Sequence, residues 1–406
     1  MLVAPLTLPP HVIPPARPPP PSPGFRMSSP GTDTAVYEPA GSDGIAVVTL
    51  DHFPVNSLSR AVMNRCAEAI MKIEADPKCK GVVVRGAGRC FCAGADISQF
   101  GTETEAPVKI PREVTDMLGF EGLKVPAVAA IHGYALGGGL EAALGCHYRV
   151  IDADSSVGLP EVNIGLLPGG QGTQRLPRLI GCEAALALMT SGEHASAAQA
   201  VEWGVCDEIV PAGSDLLAAA KALCISKMGA PVKRIYDMPA PKPTADFSAL
   251  QTQMEIARPG EIAPGAIIRC VQGACAGPTF KDGDRVEKQE FGVLVASPES
   301  SALRHMFFAE RGGVKIDGIT TKAQDIKSVG IIGAGLMGGG IAMSCAEAGI
   351  SVTICDINPE GLRKGLALIE SNFNRSKRLS DSQKIEYHHL IKCPDHNFAH
   401  KQNAKF

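Results

Sequence analysis

Ala127-Val128-Ala129-Ala130-Ile131-His132-Gly133-Tyr134-Ala135-Leu136-Gly137-Gly138-Gly139-Leu140-Glu141 reads as a buried strand, a tight glycine turn and the start of a helix carrying a carboxylate one turn in. A second carboxylate, Glu161, follows in Leu159-Pro160-Glu161, just before Gly165-Leu166-Leu167-Pro168-Gly169-Gly170-Gln171-Gly172. Upstream, Phe91-Cys92-Ala93-Gly94-Ala95-Asp96-Ile97 makes another sharp, small-residue turn whose N–H groups can point at an oxygen. Alone, a Glu in a helix's first turn merely complements the macrodipole. Two carboxylates facing one pocket do more: they divide general-acid and general-base duty if their surroundings separate their proton affinities.

Outward from that stretch, strands and helices alternate. Ile45 to Leu50 reads as a strand, Arg60 to Ala75 as a helix stopped by Asp76-Pro77, and Gly81 to Arg85 as a strand. A polar loop rich in Glu and Pro and a helix near Arg112 to Leu123 come next. That order indicates an α/β core, but periodicity alone does not separate a spiral from a doubly wound sheet. Beyond Ser191 the chain reads as mostly helical, with Ala184 to Met189, Leu216 to Met228 and a single helix from about Arg285 to Phe308, then a linker ending near Lys327.

At Ser328 the composition shifts. Ser328-Val329-Gly330-Ile331-Ile332 is a short apolar strand entering Gly333-Ala334-Gly335-Leu336-Met337-Gly338, and Ser351 to Cys355 is a second strand ending on Asp356. Gly333, Gly335 and Gly338 fit the dinucleotide fingerprint of tight turn, pyrophosphate approach and helix–strand packing. A carboxylate at Asp356 accepts hydrogen bonds from the adenosine ribose and repels a 2′-phosphate, favouring NAD over NADP.

The bulk numbers exclude other classes. The chain has 406 residues, 45% of them hydrophobic and 20% charged, with a net charge of −3. That length allows two or three domains. No basic excess suggests nucleic acid, and no apolar run approaches the roughly 20 residues needed to span a bilayer. Thirteen cysteines without a CxxC pair suggest free thiols, and Cys90 and Cys92 lack zinc-ligand spacing, so no metal is expected. His132 and His147 read as structural; Arg89 is either a phosphate contact or a solvated side chain. Eleven of the 31 prolines fall between Pro5 and Pro30, so the segment 1–34 reads as a disordered leader.

Ala93-Gly94-Ala95-Asp96, Gly137 to Glu141, and Pro160-Glu161 with Gly172-Thr173-Gln174-Arg175-Leu176-Pro177-Arg178 together resemble the enoyl-CoA hydratase/isomerase (crotonase) family over roughly residues 40 to 290. The resemblance implies an α/β fold: a ββα spiral core with C-terminal helices. It implies hydration of 2-enoyl-CoA thioesters, with Glu141 as the base acting on water and Glu161 as the acid at Cα. The Ala95 and Gly138 N–H groups would hold the thioester oxygen, and Gly169 would help orient the water. CoA is part of the substrate, and hydration needs no cofactor. Isomerisation of a 3,4 double bond needs only the Glu161 equivalent and can coexist. Whether the chain is a monomer or a homotrimer stays open.

The segment from Ser328 resembles the start of 3-hydroxyacyl-CoA dehydrogenases, down to Gly335-Leu336-Met337-Gly338. Hydratase followed by dehydrogenase is the layout of multifunctional fatty-acid β-oxidation enzymes, commonly peroxisomal in eukaryotes, although Ala404-Lys405-Phe406 is not an SKL-type signal and a cytoplasmic alternative stands. The family's catalytic His–Glu pair falls in a segment this chain does not contain. The expectation is therefore a partial Rossmann-type βαβ unit with a weak NAD site and no dehydrogenase activity. A non-catalytic acyl-CoA-binding remnant and a working dehydrogenase are the alternatives. The expected divisions are a leader (1–34), a crotonase domain (35–284), a linker helix region (285–327) and an NAD-binding portion (328–406), with a match that fades after about Tyr387 and an unstructured tail from His388.

Overall fold

The computed structural model describes residues 34–100, 118–244, 246–313, 324–376 and 379–393. The chain divides into two units, Met1–Lys315 and Ile316–Phe406. The expected leader lies outside the described residues, except that Thr34 already opens the first strand.

The first unit has nine strands among the described residues: β1 (Thr34–Glu38), β2 (Ile45–Asp51), β3 (Gly81–Gly86), β4 (Ala127–Ile131), β5 (Tyr134–Leu136), β6 (Tyr148–Asp152), β7 (Ser156–Gly158), β8 (His194–Ser196) and β9 (Glu208–Val210). Its helices are α1 (Arg60–Ala75), α2 (Gly138–Leu144), α3 (Gly172–Ile180), α4 (Cys182–Ser191), α5 (Ala197–Glu202), α6 (Leu216–Lys227), α7 (Phe247–Ala257), α8 (Ala263–Ala276), α9 (Phe280–Val295) and α10 (Pro298–Gly312). The large sheet runs β1-β2-β3-β4-β6-β9 and the small one β5-β7-β8. In the large sheet only β1 and β2 pair antiparallel.

The continuous apolar run at β4 follows from burial on both faces. Ala127, Ala129 and Ile131 join the main core with Val48, Leu50, Val82 and Val84. Val128 and Ala130 point the other way, packing with Ile45, Val83 and Val150 under Leu216, Ala220 and Cys224 of α6. The period of two along the strand thus serves two cores. Each fully buried Val or Ile contributes roughly 1.5–3 kcal/mol.

The spiral is visible in the pairing. After β2 the chain passes Leu58, which bridges Ala95, and enters α1. After β3 it passes Cys92, which bridges Ala135, and then a 3₁₀ turn at Ile97–Gln99. After β4 come β5 and α2; after β6 come β7, a 3₁₀ turn at Pro160–Ile164 and α3. Strand, second-layer strand or bridge, and helical turn repeat around the core. This settles the choice that periodicity left open in favour of the ββα spiral.

Three local expectations need correction. The single helix from Arg285 to Phe308 is two, α9 and α10, because Ser297 caps a new start by accepting the Ser300 N–H and Pro298 occupies the first turn. The expected division at 284/285 also falls inside α9, which packs on α8 and α3. Of the helix near Arg112 to Leu123, residues 112–117 lie outside the described residues; the remainder forms a 3₁₀ turn, Phe120–Gly122, with Phe120 and Glu121 buried.

The second unit holds β10 (Ser328–Ile332), α11 (Leu336–Glu347), β11 (Ser351–Cys355), α12 (Pro359–Arg375), α13 (Asp381–Leu390) and β12 (Ile391–Lys392). The three strands are parallel in the order β10-β11-β12. Ile331, Ala342, Ala346, Val352, Ile354, Ile369 and Phe373 form their core. Of the tail expected to be unstructured from His388, residues 388–392 form regular structure and residues 394–406 lie outside the described residues. His388 and His389 lie in the last turn of α13, and β12 pairs with β11. A capping box between Ser380 and Gln383 starts that helix, and Tyr387 and Leu390 pack on the core.

Candidate active site

Gly137 converts strand into helix. Its φ of 54° with ψ of −130° is a backbone that only glycine adopts without strain, and it delivers the chain from β5 into α2. All seven residues of α2 are buried, so Glu141 sits one turn in with its carboxylate inside the protein. Oε1 of Glu141 accepts the Gly170 N–H at 2.8 Å and the Gly172 N–H at 2.7 Å. Burial drives the Glu141 pKa up, the Gly172 and Gly170 amides and the Arg175 charge oppose it, and the result is about 7.

Glu161 stands in the 3₁₀ turn after β7, its carboxylate against the glycine turn. A Cβ on Gly137 would lie 3.0 Å from Glu161 Oε1. Its Oε2 is buried without a hydrogen-bond partner. Burial, reinforced by the charge of Glu141, holds the Glu161 pKa well above the usual carboxylate range. Two amides from the facing strip on Glu141, against only its own N–H on Glu161, separate the pair: Glu141 is the easier to ionise, and Glu161 keeps the proton.

The other small-residue turn lies alongside. A Cβ on Gly94 would sit 3.1 Å from the Leu136 carbonyl oxygen and 3.6 Å from the Gly138 nitrogen, so the Ala95 turn and the Gly138 helix start are in contact. Gly138 is the first residue of α2, and an amide there has no intrahelical acceptor. The Ala95 N–H has no acceptor among the described residues either. Asp96 holds its own turn together, accepting the Ser98 N–H at 3.1 Å and the Gln99 side chain at 3.0 Å. Gly169 is exposed at the head of the Gly170–Gly172 strip, where a Cβ would strike the Phe291 ring of α9.

Sequence reading missed the polar frame behind the pair. Glu287 of α9 accepts the Gln171 N–H at 2.7 Å and the Thr173 hydroxyl. Arg175 pairs with Glu121 at 2.6 Å, both fully buried, and donates to the Gln171 side chain at 2.8 Å. Glu121 also accepts the Tyr236 N–H at 3.0 Å. Arg175 and Gln171 stand within the motif stretches, but nothing local marks Glu121. For Glu287 a signal exists: Phe280, Gly283, Asp284, Glu287 and Leu294 form the buried stripe of α9, placing two acids where an amphipathic helix carries apolar residues. His132 and His147 both bond backbone groups, His132 through Nε2 to the Gly88 carbonyl at 3.1 Å. Nδ1 of His147 accepts the Ala127 N–H at 2.9 Å, so Nε2 carries the proton to the Glu121 carbonyl at 3.1 Å.

In the second unit the glycines make a tight turn ahead of α11. Gly333 has φ of +102°, a Cβ on Gly338 would collide with the Gly333 carbonyl oxygen, and beside Gly335 the space is open. Gly335 precedes α11 without a side-chain cap, leaving the helix amides free for an anion. Asp356, at the end of β11, accepts the Ala334 N–H at 2.7 Å and the Asn358 N–H at 2.9 Å, which places it at the turn and holds its pKa below the usual range.

A ββα spiral with two unequal carboxylates beside contacting amide turns defines a crotonase-type protein. The chain belongs to the enoyl-CoA hydratase/isomerase family, whose model matches residues 40–256. Residues 328–401 match the NAD-binding domain of 3-hydroxyacyl-CoA dehydrogenase, so the likeness runs past Tyr387, where it was expected to fade. The chain is 38% identical to the peroxisomal bifunctional enzyme of Cavia porcellus, over 84% of this chain and 48% of the relative. It is 39% identical to the fatty acid oxidation complex subunit alpha of Shewanella amazonensis, over 80% and 48%. The chain thus spans about half the length of the curated relatives it matches. Among solved structures, carnitinyl-CoA hydratase from Mycobacterium avium is 27% identical with a TM-score of 0.49, covering 69% of this chain and 97% of the other.

Proposed function

We propose that this chain catalyses reversible addition of water across the 2,3 double bond of 2-enoyl-CoA thioesters, giving 3-hydroxyacyl-CoA, within fatty-acid oxidation. The observation that carries this reading is the unequal pair: Glu141 Oε1 held by two amides of the facing strip, Glu161 by no amide beyond its own, with its Oε2 unpartnered. The thioester oxygen takes the Ala95 and Gly138 N–H groups, the latter backed by the α2 dipole. Glu141 removes a proton from water as the water oxygen bonds C3. The π electrons move onto the thioester oxygen, and the enolate collapses by taking the Glu161 proton at C2. Exchange with solvent then returns a proton to Glu161 and removes one from Glu141. Gly169, adjoining the Gly170 amide that bonds Glu141, would orient the water through its backbone. Losing one amide donor would cost on the order of 3 kcal/mol, about a hundredfold in rate. Shifting a 3,4 double bond to 2,3 removes a proton from C2 and returns it at C4, which Glu161 alone can do when it starts ionised, so isomerase activity is proposed beside hydration in that protonation state.

A spectrophotometric assay on crotonyl-CoA and a longer 2-enoyl-CoA tests the reading. The purified chain hydrates at least one of them; inactivity on both sinks the proposal. For the second unit we propose a weak NAD site: its glycine turn and Asp356 fit pyrophosphate and ribose, yet the described sheet is only three strands wide. Micromolar NAD affinity by calorimetry would overturn this. Peroxisomal residence is proposed from the animal relative's printed name, and imaging the chain with an N-terminal fluorescent tag checks it.

A further inference from the structure

We propose that Glu287 is a positioning residue for hydration: from α9 it clamps the Gly170–Gly172 strip so that two of its amides stay on Glu141. The proposal rests on Glu141 being the base. Three successive amides are shared between two carboxylates from different helices. Gly170 and Gly172 donate to Glu141 at 2.8 and 2.7 Å, and Gln171 between them donates to Glu287 at 2.7 Å. Gln171 stands in the left-handed region, with φ of 75°, so something must hold it there. Its main chain is tied to Glu287 and its side chain to Asp284, one turn earlier on α9, at 3.2 Å. The Thr173 hydroxyl fills the other oxygen of Glu287.

Electrostatics alone gives no reason for an acid here. Glu287 faces Glu141 of α2, Glu161 of the 3₁₀ turn, Asp284 of its own helix and Cys270 of α8; the cation of the site, Arg175 of α3, opposes the shift of Glu141 and is paired to Glu121. Burial and the charge of Glu141 raise the Glu287 pKa well above the usual carboxylate range, so Glu287 stands protonated beside an ionised Glu141 and acts there through its hydrogen bonds. What Glu287 supplies is two oxygens at one point, one accepting the Gln171 N–H and the other bonded to the Thr173 hydroxyl. Glutamine keeps one acceptor and can donate to Thr173 in place of the other; methionine keeps length and bulk but neither.

The test titrates Glu141 by NMR in protein labelled with ¹³Cδ-glutamate, its signal assigned by its loss in Glu141→Gln, beside hydration assays. In Glu287→Met the Glu141 midpoint moves up from about 7, by about one pH unit, as its amides loosen. Its kcat falls about tenfold or more while KM for crotonyl-CoA holds. Glu287→Gln keeps kcat within about twofold and leaves the midpoint in place or lowers it. An unmoved midpoint in Glu287→Met, or Glu287→Gln as damaging as Glu287→Met, overturns the proposal. If Glu287→Met does not fold, Thr173→Val, which removes one donor from Glu287, must raise the midpoint or the proposal fails. A wild type without hydratase activity whose Glu141 midpoint still answers to Glu287 would refute the function and keep the clamp.

Discussion

Glu141 is a buried acid and Glu161 a half-buried one whose Oε2 is inside, and hydrogen bonds set them apart. Hydration needs Glu141 ionised and Glu161 protonated, so kcat/KM falls as pH drops through about 7 and falls again where Glu161 ionises at higher pH. A pH–rate profile flat from 6 to 8 contradicts this assignment. The same shifts bear on stability. Both folded-state values lie above the ordinary 4.5, so the stabilising contribution is complete below 4.5 and is lost as pH rises through the folded values. Glu161→Gln should therefore raise the melting temperature at pH 8 while cutting hydration by about 10²–10⁴-fold. Scanning calorimetry beside the assay checks both, and an unchanged or lower melting temperature at pH 8 counts against a carboxylate held protonated by burial. The pair was legible in sequence because each Glu is framed by turn residues. Glu121 and Glu287 were not, since burial of an acid is a property of its neighbours.

At the scale of elements, the turn from β5 to α2 does the positioning. Gly137→Ala adds strain of about 1–3 kcal/mol and a Cβ 3.0 Å from Glu161 Oε1. Hydration should fall by more than the loss of folded protein explains, which rate and melting temperature measured together will show; a variant of wild-type rate would mean that the turn does not seat Glu161. α1, expected at about Arg60 to Ala75, was legible because Asp76-Pro77 stops it; the structure shows Ser59 capping its start. The break between α9 and α10 was missed although Ser297-Pro298 is a start signal, because the apolar pattern continues across it. α13 was missed for a different reason: its sequence is polar, and packing of Tyr387 and Leu390 holds it in place.

For the molecule as a whole, every residue given a role in hydration lies within the unit Met1–Lys315. A chain ended at Lys315 should keep hydration kcat within about twofold of the full chain, as expected of a unit with its own core; a loss beyond tenfold would show that the second unit takes part. The sequence by itself determined what is local: strand and helix alternation, the two glutamates, the amide turns, the glycine fingerprint with Asp356. Such motifs are readable because backbone geometry within a few residues dictates the residue type. Only the tertiary structure decided the closing of the spiral, which repeats in strand pairing without repeating in sequence, and the frame behind the site. Glu287 reaches the Gln171 amide across 116 positions, and a contact of that kind is set by how α9 packs on α3 and α8, which no single stretch of sequence contains.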